Sequence, residues 1–247
     1  MKTNYNQYQF SKKEWIWHSL ESSFLCLVIN YLFYRSWIAF FFLFPIPLFY
    51  LKNKKKQLIK QRKNQLNYQF RDALSALNAA LRAGYSLENA FTEACRDLKK
   101  IYGKEEDLVK EFTYIEHQLH LQVPLEKLLH DFAGRSGVED VANFSVILAT
   151  AKRTGGNVIT ILQKSIRILE DKIDVKKEID AALAAKKLEH TIMSCMPFGI
   201  LCYMQITSPG FLEVLYGNVF GVFIMTACLG IYLLAYWMGR KIVDIEV

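Results

Sequence analysis

The chain has 247 residues, 31 Lys plus Arg against 24 Asp plus Glu, a net charge of +7, and 52% hydrophobic residues. Only 5 Pro and 12 Gly exclude a disordered or collagen-like chain, and 5 Cys at no regular spacing exclude a disulfide scaffold. The charge is local: Lys52, Lys54, Lys55, Lys56, Lys60, Arg62 and Lys63 fall in one stretch without an acid, whereas residues 64–190 carry 18 bases against 19 acids.

From residue 15 to residue 51 the chain is almost continuously apolar, with residues 24–34 (FLCLVINYLFY) and 37–51 (WIAFFFLFPIPLFYL) separated by Arg35 and Ser36. A single helix of that length would measure about 55 Å against a hydrocarbon core of about 30 Å, so a hairpin of two membrane spans turning near Arg35 is expected. Pro45 and Pro47 interrupt the second span. A cleavable signal peptide fits less well, because the apolar run starts late, is long, and leads into bases rather than a small-residue cleavage site. The bases at 52–63 then read as an orientation signal with attraction to anionic lipid, ahead of a protein-binding or nucleic-acid role.

Residues 58–190 show helical periodicity throughout and no alternating strand pattern, which makes the class all-α. Phe70, Ala73, Leu74, Leu77, Ala80 and Leu81 share one face, and Gly84 supplies the permissive position past that helix. Ser86 caps a second helix whose stripe is Leu87, Ala90, Phe91, Ala94, Leu98 and Ile101. A third, over about 105–121, turns Leu108, Phe112, Ile115 and Leu119 inward. Pro124 suits the first turn of a short fourth helix with Leu125, Leu128, Leu129 and Phe132. A fifth covers 139–153 and ends at Gly155 and Gly156, after which Asn157 caps the last.

That last helix has neither Gly nor Pro until Pro197, where a bend or break is expected. Val158, Leu162, Ile166, Leu169 and Ile173 form its packing seam, and it leads into a third span, residues 191–206. A loop containing Glu213 separates this from a fourth span, residues 219–238, followed by Arg240 and Lys241. The positive-inside rule places both termini in the cytoplasm, and Trp15, Trp17, Trp37, Tyr50, Tyr236 and Trp237 fall at interfacial positions. The expected organisation is an N-terminal tail and transmembrane hairpin (1–51), a basic linker (52–65), a cytoplasmic bundle of about six helices (66–190), a C-terminal transmembrane hairpin (191–238) and a cytoplasmic tail (239–247).

No catalytic or cofactor chemistry is written in this pattern. Gly155-Gly156 lacks the rest of a phosphate loop. His117 and His120 lack a third metal ligand nearby, and the cysteines read as small buried apolar residues. Neither a nucleophile-elbow nor a zinc-protease motif occurs. A small transporter or channel would need ionisable groups inside the spans, and 37–51, 191–206 and 219–238 contain none. A metalloenzyme built on His117 and His120 is a third, weaker reading.

Two stretches carry a resemblance: residues 81–90 (LRAGYSLENA), and residues 123–129 (VPLEKLL) followed by 149–158 (ATAKRTGGNV). They are similar to the F domain of type II secretion systems, over roughly residues 66–200. With one domain copy and a hairpin on each side, the chain resembles the TadB/TadC-like proteins of tight-adherence pili more than the two-copy members. The resemblance implies a non-enzymatic platform in the bacterial cytoplasmic membrane, without cofactor, metal or nucleic acid. Its implied partners are a cytoplasmic secretion ATPase, a pilin or pseudopilin, and a paralogous F-domain subunit or second copy. Arg82, Glu88, Arg96, Lys152 and Arg153, exposed charges near the turns, are the candidate partner contacts.

Overall fold

The computed structural model describes Tyr5 and residues 12–33, 45–154, 158–208, 210, 215–216 and 218–243. Gly155, Gly156, Asn157, the turn at Arg35 and the first half of the second expected span lie outside the described residues. Every regular element described is a helix: α1 (Lys12–Phe33), α2 (Pro45–Arg82), α3 (Leu87–Tyr102), α4 (Asp107–His120), α5 (Leu125–Ser136), α6 (Glu139–Thr154), α7 (Val158–Thr207) and α8 (Val219–Val243). The chain divides into two compact units, the first comprising residues 1–9 and 56–178, the second residues 10–55 and 179–247.

The first unit is built on the faces that the periodicity marks out. Phe70, Leu74 and Leu77 of α2, Phe91 and Leu98 of α3, Leu108 and Ile115 of α4, Leu129 and Phe132 of α5, Phe144 and Leu148 of α6, and Leu162 and Ile166 of α7 form one core. Residues three and four apart lie on one side of a helix, so each helix contributes a stripe and the stripes close on one another. Phe91 stacks on Phe112 at 5.6 Å, and Phe70 meets Phe144 edge-on at 5.9 Å. The expected seam of α7 is buried at Leu162, Ile166, Leu169 and Ile173.

Short connections set the order of the helices. α2 ends where Gly84 takes φ 88°, a backbone conformation that costs glycine little and other residues more. Ser86 then caps α3 by accepting a hydrogen bond from the Asn89 N–H at 3.4 Å. Pro124 sits one position ahead of its expected place, at the N-cap of α5, where its carbonyl accepts from the Lys127 and Leu128 amides. Ile101, expected inward, is 64% exposed. In that last turn of α3 Tyr102 packs instead, donating its hydroxyl to Asp72.

Two long helices depart from the expected boundaries. α2 runs unbroken from Pro45 to Arg82, so the basic stretch is helical. α7 is 50 residues long, about 75 Å, and continues through Pro197 to Thr207. The proline therefore does not end the helix, and the carbonyl it leaves without an amide donor is carried inside a helix that packing holds in place.

In the second unit Leu32, Phe33, Met225 and Leu229 pack together with Phe198 and Leu201. Tyr232 donates to the Ser194 carbonyl at 2.9 Å, and Tyr216 to the Leu32 carbonyl at 2.6 Å. The His190 ring stacks on Tyr236 and occupies the space that a Cβ on Gly239 would need, so α7 and α8 approach closely there. Most large apolar side chains of this unit point outward, including Trp17, Leu20 and Phe24 of α1, Met196, Ile200 and Tyr203 of α7, and Phe223, Leu234 and Trp237 of α8. Of the four expected spans, one is matched among the described residues by a helix long and apolar enough to cross a membrane, at 220–242; α1 holds a shorter apolar run, 19–33.

Candidate functional site

Three of the five expected contact charges lie at one end of the first unit, at the start of α3 and the end of α6. Lys152 on α6 reaches Glu126 in the first turn of α5 at 2.6 Å and Glu88 in the first turn of α3 at 4.0 Å. Arg153 is the next residue of α6 and is exposed. Burial raises the Glu126 carboxyl pKa, but the hydrogen bond from Lys152, a backbone hydrogen bond and the Lys152 charge together hold the group below its ordinary value. The cluster puts both signs of charge on a rim where three helices end, which suits docking of a charged protein surface. Arg96 lies apart from it on α3, paired with Glu93 at 3.0 Å. Arg82 is exposed at the end of α2. Glu126 was not among the expected contacts, although its place two residues after Pro124 put it in a first helical turn.

The bases of the 52–63 stretch divide. Lys55, Lys56 and Lys60 are exposed and Lys54 is half-buried. Arg62 instead makes a bidentate pair with Asp107 of α4, at 2.6 and 2.8 Å, and its guanidinium lies 4.9 Å from the centre of the Tyr5 ring. Tyr5 is 2% exposed and forms part of the core of the first unit. Its hydroxyl donates to Glu111 Oε1 at 3.0 Å and its N–H to the Arg135 carbonyl at 3.1 Å. Arg135 grips the same Glu111 with two bonds of 2.6 Å and also bonds Asp131 at 3.0 Å. Burial first, then the Glu111 charge, push the Tyr5 hydroxyl pKa well up, so it stays a donor. Helical periodicity could not have found this site, because its parts lie up to 130 residues apart.

Further polar ties join the helices. Arg71 of α2 clasps Asp174 of α7 at 2.8 and 2.9 Å. Lys172 of α7 reaches the buried Asp140 at 2.7 Å, which also accepts from Asn67. Lys99 and Cys95 of α3 both donate to Glu116 of α4. Cys95 is buried and burial raises its pKa, so the thiol is held neutral. Cys26 is buried too, but Cys195, Cys202 and Cys228, expected to be buried, are exposed, because their helices turn apolar surface outward. His117 and His120 are exposed, and among the described residues no group of three His, Cys, Asp or Glu is placed to hold a metal.

The family described as type II secretion system (T2SS), protein F, matches residues 62–206. No curated protein and no solved structure matches the chain. The matched segment is more than half of the chain and runs from Arg62 in α2 to the last turn of α7, enclosing α3 to α6. The chain belongs to the type II secretion system protein F family.

Proposed function

We propose that this protein is a non-enzymatic platform of a type II secretion or tight-adherence pilus system, of TadB/TadC-like type, in the bacterial cytoplasmic membrane. In this reading residues 66–190 contact a cytoplasmic secretion ATPase, with pilin or pseudopilin and a paralogous subunit or second copy as further partners. The observation that carries it is the single family match at 62–206. The work of such a protein is binding, and the rim formed by Glu88, Glu126, Lys152 and Arg153 is the surface we assign to the ATPase, with Arg82 and Arg96 as outlying contacts.

Four spans with both termini cytoplasmic are supported by two physical arguments. The first unit buries its apolar stripes, whereas α1, the end of α7 and α8 turn theirs outward, an arrangement that lipid stabilises and water does not. Tyr5 is packed in the core of the first unit, so residue 5 and the bundle share one side of the membrane. The chain between them must then cross an even number of times, which a hairpin over residues 15–51 satisfies.

The test is affinity purification of the full chain from detergent-solubilised membranes of its own host. Co-purification of a hexameric secretion ATPase, abolished by Lys152→Glu and restored by a compensating charge change on the ATPase, is expected. Surface fibres or secretion unchanged after deletion of the gene would overturn the reading.

A further inference from the structure

The Tyr5 site is a complete binding site whose occupant comes from outside the family-matched segment. Arg62, Asp107, Glu111 and Arg135, which form it, all fall within residues 62–206, whereas Tyr5 lies far upstream. Each feature of a tyrosyl residue has a dedicated partner. The ring face meets the Arg62 guanidinium, the hydroxyl meets Glu111, and the backbone N–H meets the Arg135 carbonyl at the end of α5. Both arginines are oriented by bidentate carboxylate pairs, Arg62 by Asp107 and Arg135 by Glu111, so the groups that meet Tyr5 are aligned by ion pairs of the bundle itself. Preorganisation of this kind lowers the cost of ordering a short segment on binding.

We propose that this socket, formed by α2, α4 and α5, is a peptide-recognition site that reads an unmodified tyrosine, with the chain's own Tyr5 as its resident ligand. The tie is non-covalent, so the segment can leave and another tyrosine-bearing segment with a free backbone N–H can enter. Phenylalanine would fill the space without the hydroxyl that donates to Glu111. A phosphotyrosine would place its negative charge against the Glu111 carboxylate and is excluded.

The experiment uses the full chain in detergent and a synthetic peptide of residues 1–9, MKTNYNQYQ. The Tyr5→Ala chain, with its socket vacated, is expected to bind this peptide. A peptide with Ala at position 5, which keeps Tyr8, should bind about tenfold or more weakly, the loss expected when a buried ring and a hydrogen bond to a charged group are removed. The peptide phosphorylated on Tyr5 should bind no better than the Ala peptide, and the wild-type chain should bind little, because its socket is filled. Equal binding of the three peptides, or equal binding by wild-type and Tyr5→Ala chains, overturns the proposal. Hydrogen exchange on the wild-type chain gives a measurement that needs no variant. The Tyr5 amide should be protected and should lose that protection when the peptide is in excess. An amide exchanging at the rate of a free peptide overturns the site altogether.

Discussion

Gly84 and Gln122 both occupy left-handed backbone, at φ 88° and φ 60°, yet they ask opposite things of a substitution. No atom lies within 4 Å of where a Gly84 Cβ would sit, so Gly84→Val costs only the backbone term, about 1 kcal/mol or somewhat more. Gln122 already bears that cost, and Gln122→Gly should be neutral or stabilising by up to about 1 kcal/mol. Thermal melts of helicity in detergent test the pair. The Arg135–Glu111 bridge is nearly enclosed, its side chains 15% and 7% exposed. Arg135→Ala leaves Glu111 buried with its charge uncompensated and should cost about 3–5 kcal/mol. Glu116 and Glu126 are pushed up by burial, but their hydrogen bonds and the nearby positive charges together bring both below the ordinary carboxyl value of 4.5. Their folded forms therefore bind a proton more weakly than the unfolded chain. The stability they contribute is complete above about pH 4.5 and is lost as pH falls through their folded-state values. Glu170 has the opposite sign, since burial raises it and ionisation opposes folding. Glu170→Gln should raise the melting temperature at neutral pH and lose that advantage in acid.

At the scale of the helix, the stripe of α2 predicts a sharp contrast with the end of α3. Phe70 is fully buried against Phe144, so Phe70→Ala should destabilise the chain by about 3–5 kcal/mol. Ile101 stands in solvent, and Ile101→Ala should fall within about 0.5 kcal/mol of the wild type. Denaturant titration of both variants distinguishes a buried face from a pattern that has run past its neighbours. The same contrast explains what the sequence could and could not disclose. The 3 and 4 spacing of Leu74, Leu77 and Leu81, or of Leu162, Ile166 and Leu169, states a buried face because each helix must cover its own apolar stripe. Local spacing cannot say where a neighbouring helix stops, which is why Ile101 was misplaced. Nor can it distinguish a base that faces lipid headgroups from one, Arg62, whose carboxylate lies 45 residues away. A bend or break was expected at Pro197 because local rules penalise it, but the helix runs through it to Thr207, the surrounding turns of α7 outweighing one missing hydrogen bond.

Across the whole chain, apolar side chains change their direction between the two units. Trp17, Phe223 and Trp237 are exposed, whereas Phe70, Phe91 and Phe132 are hidden. If the outward surfaces face lipid, the protein should stay in the membrane pellet through alkaline carbonate washing. In a cysteine-free background, Ser36→Cys should be modified by a membrane-impermeant maleimide in intact spheroplasts, while Lys56→Cys should require permeabilisation. Labelling of Lys56→Cys from outside would reverse the orientation. The candidate rim was only half legible at this scale. Glu88, Lys152 and Arg153 were marked as exposed charges near turns, but the meeting of Lys152 with Glu126 and Glu88 depends on which helix ends the bundle brings together, and that is a property of the packed core rather than of any one segment.

The hydrogen bond from the Tyr5 amide to Arg135 spans 130 residues. A ribosome adding about 5–20 residues per second needs roughly 6–26 s to pass from one to the other. For that whole interval Tyr5 has been made and the carbonyl it binds has not. Tyr5 is thus made well before the carbonyl it binds, and its full set of contacts requires α2, α4 and α5 all to be in place.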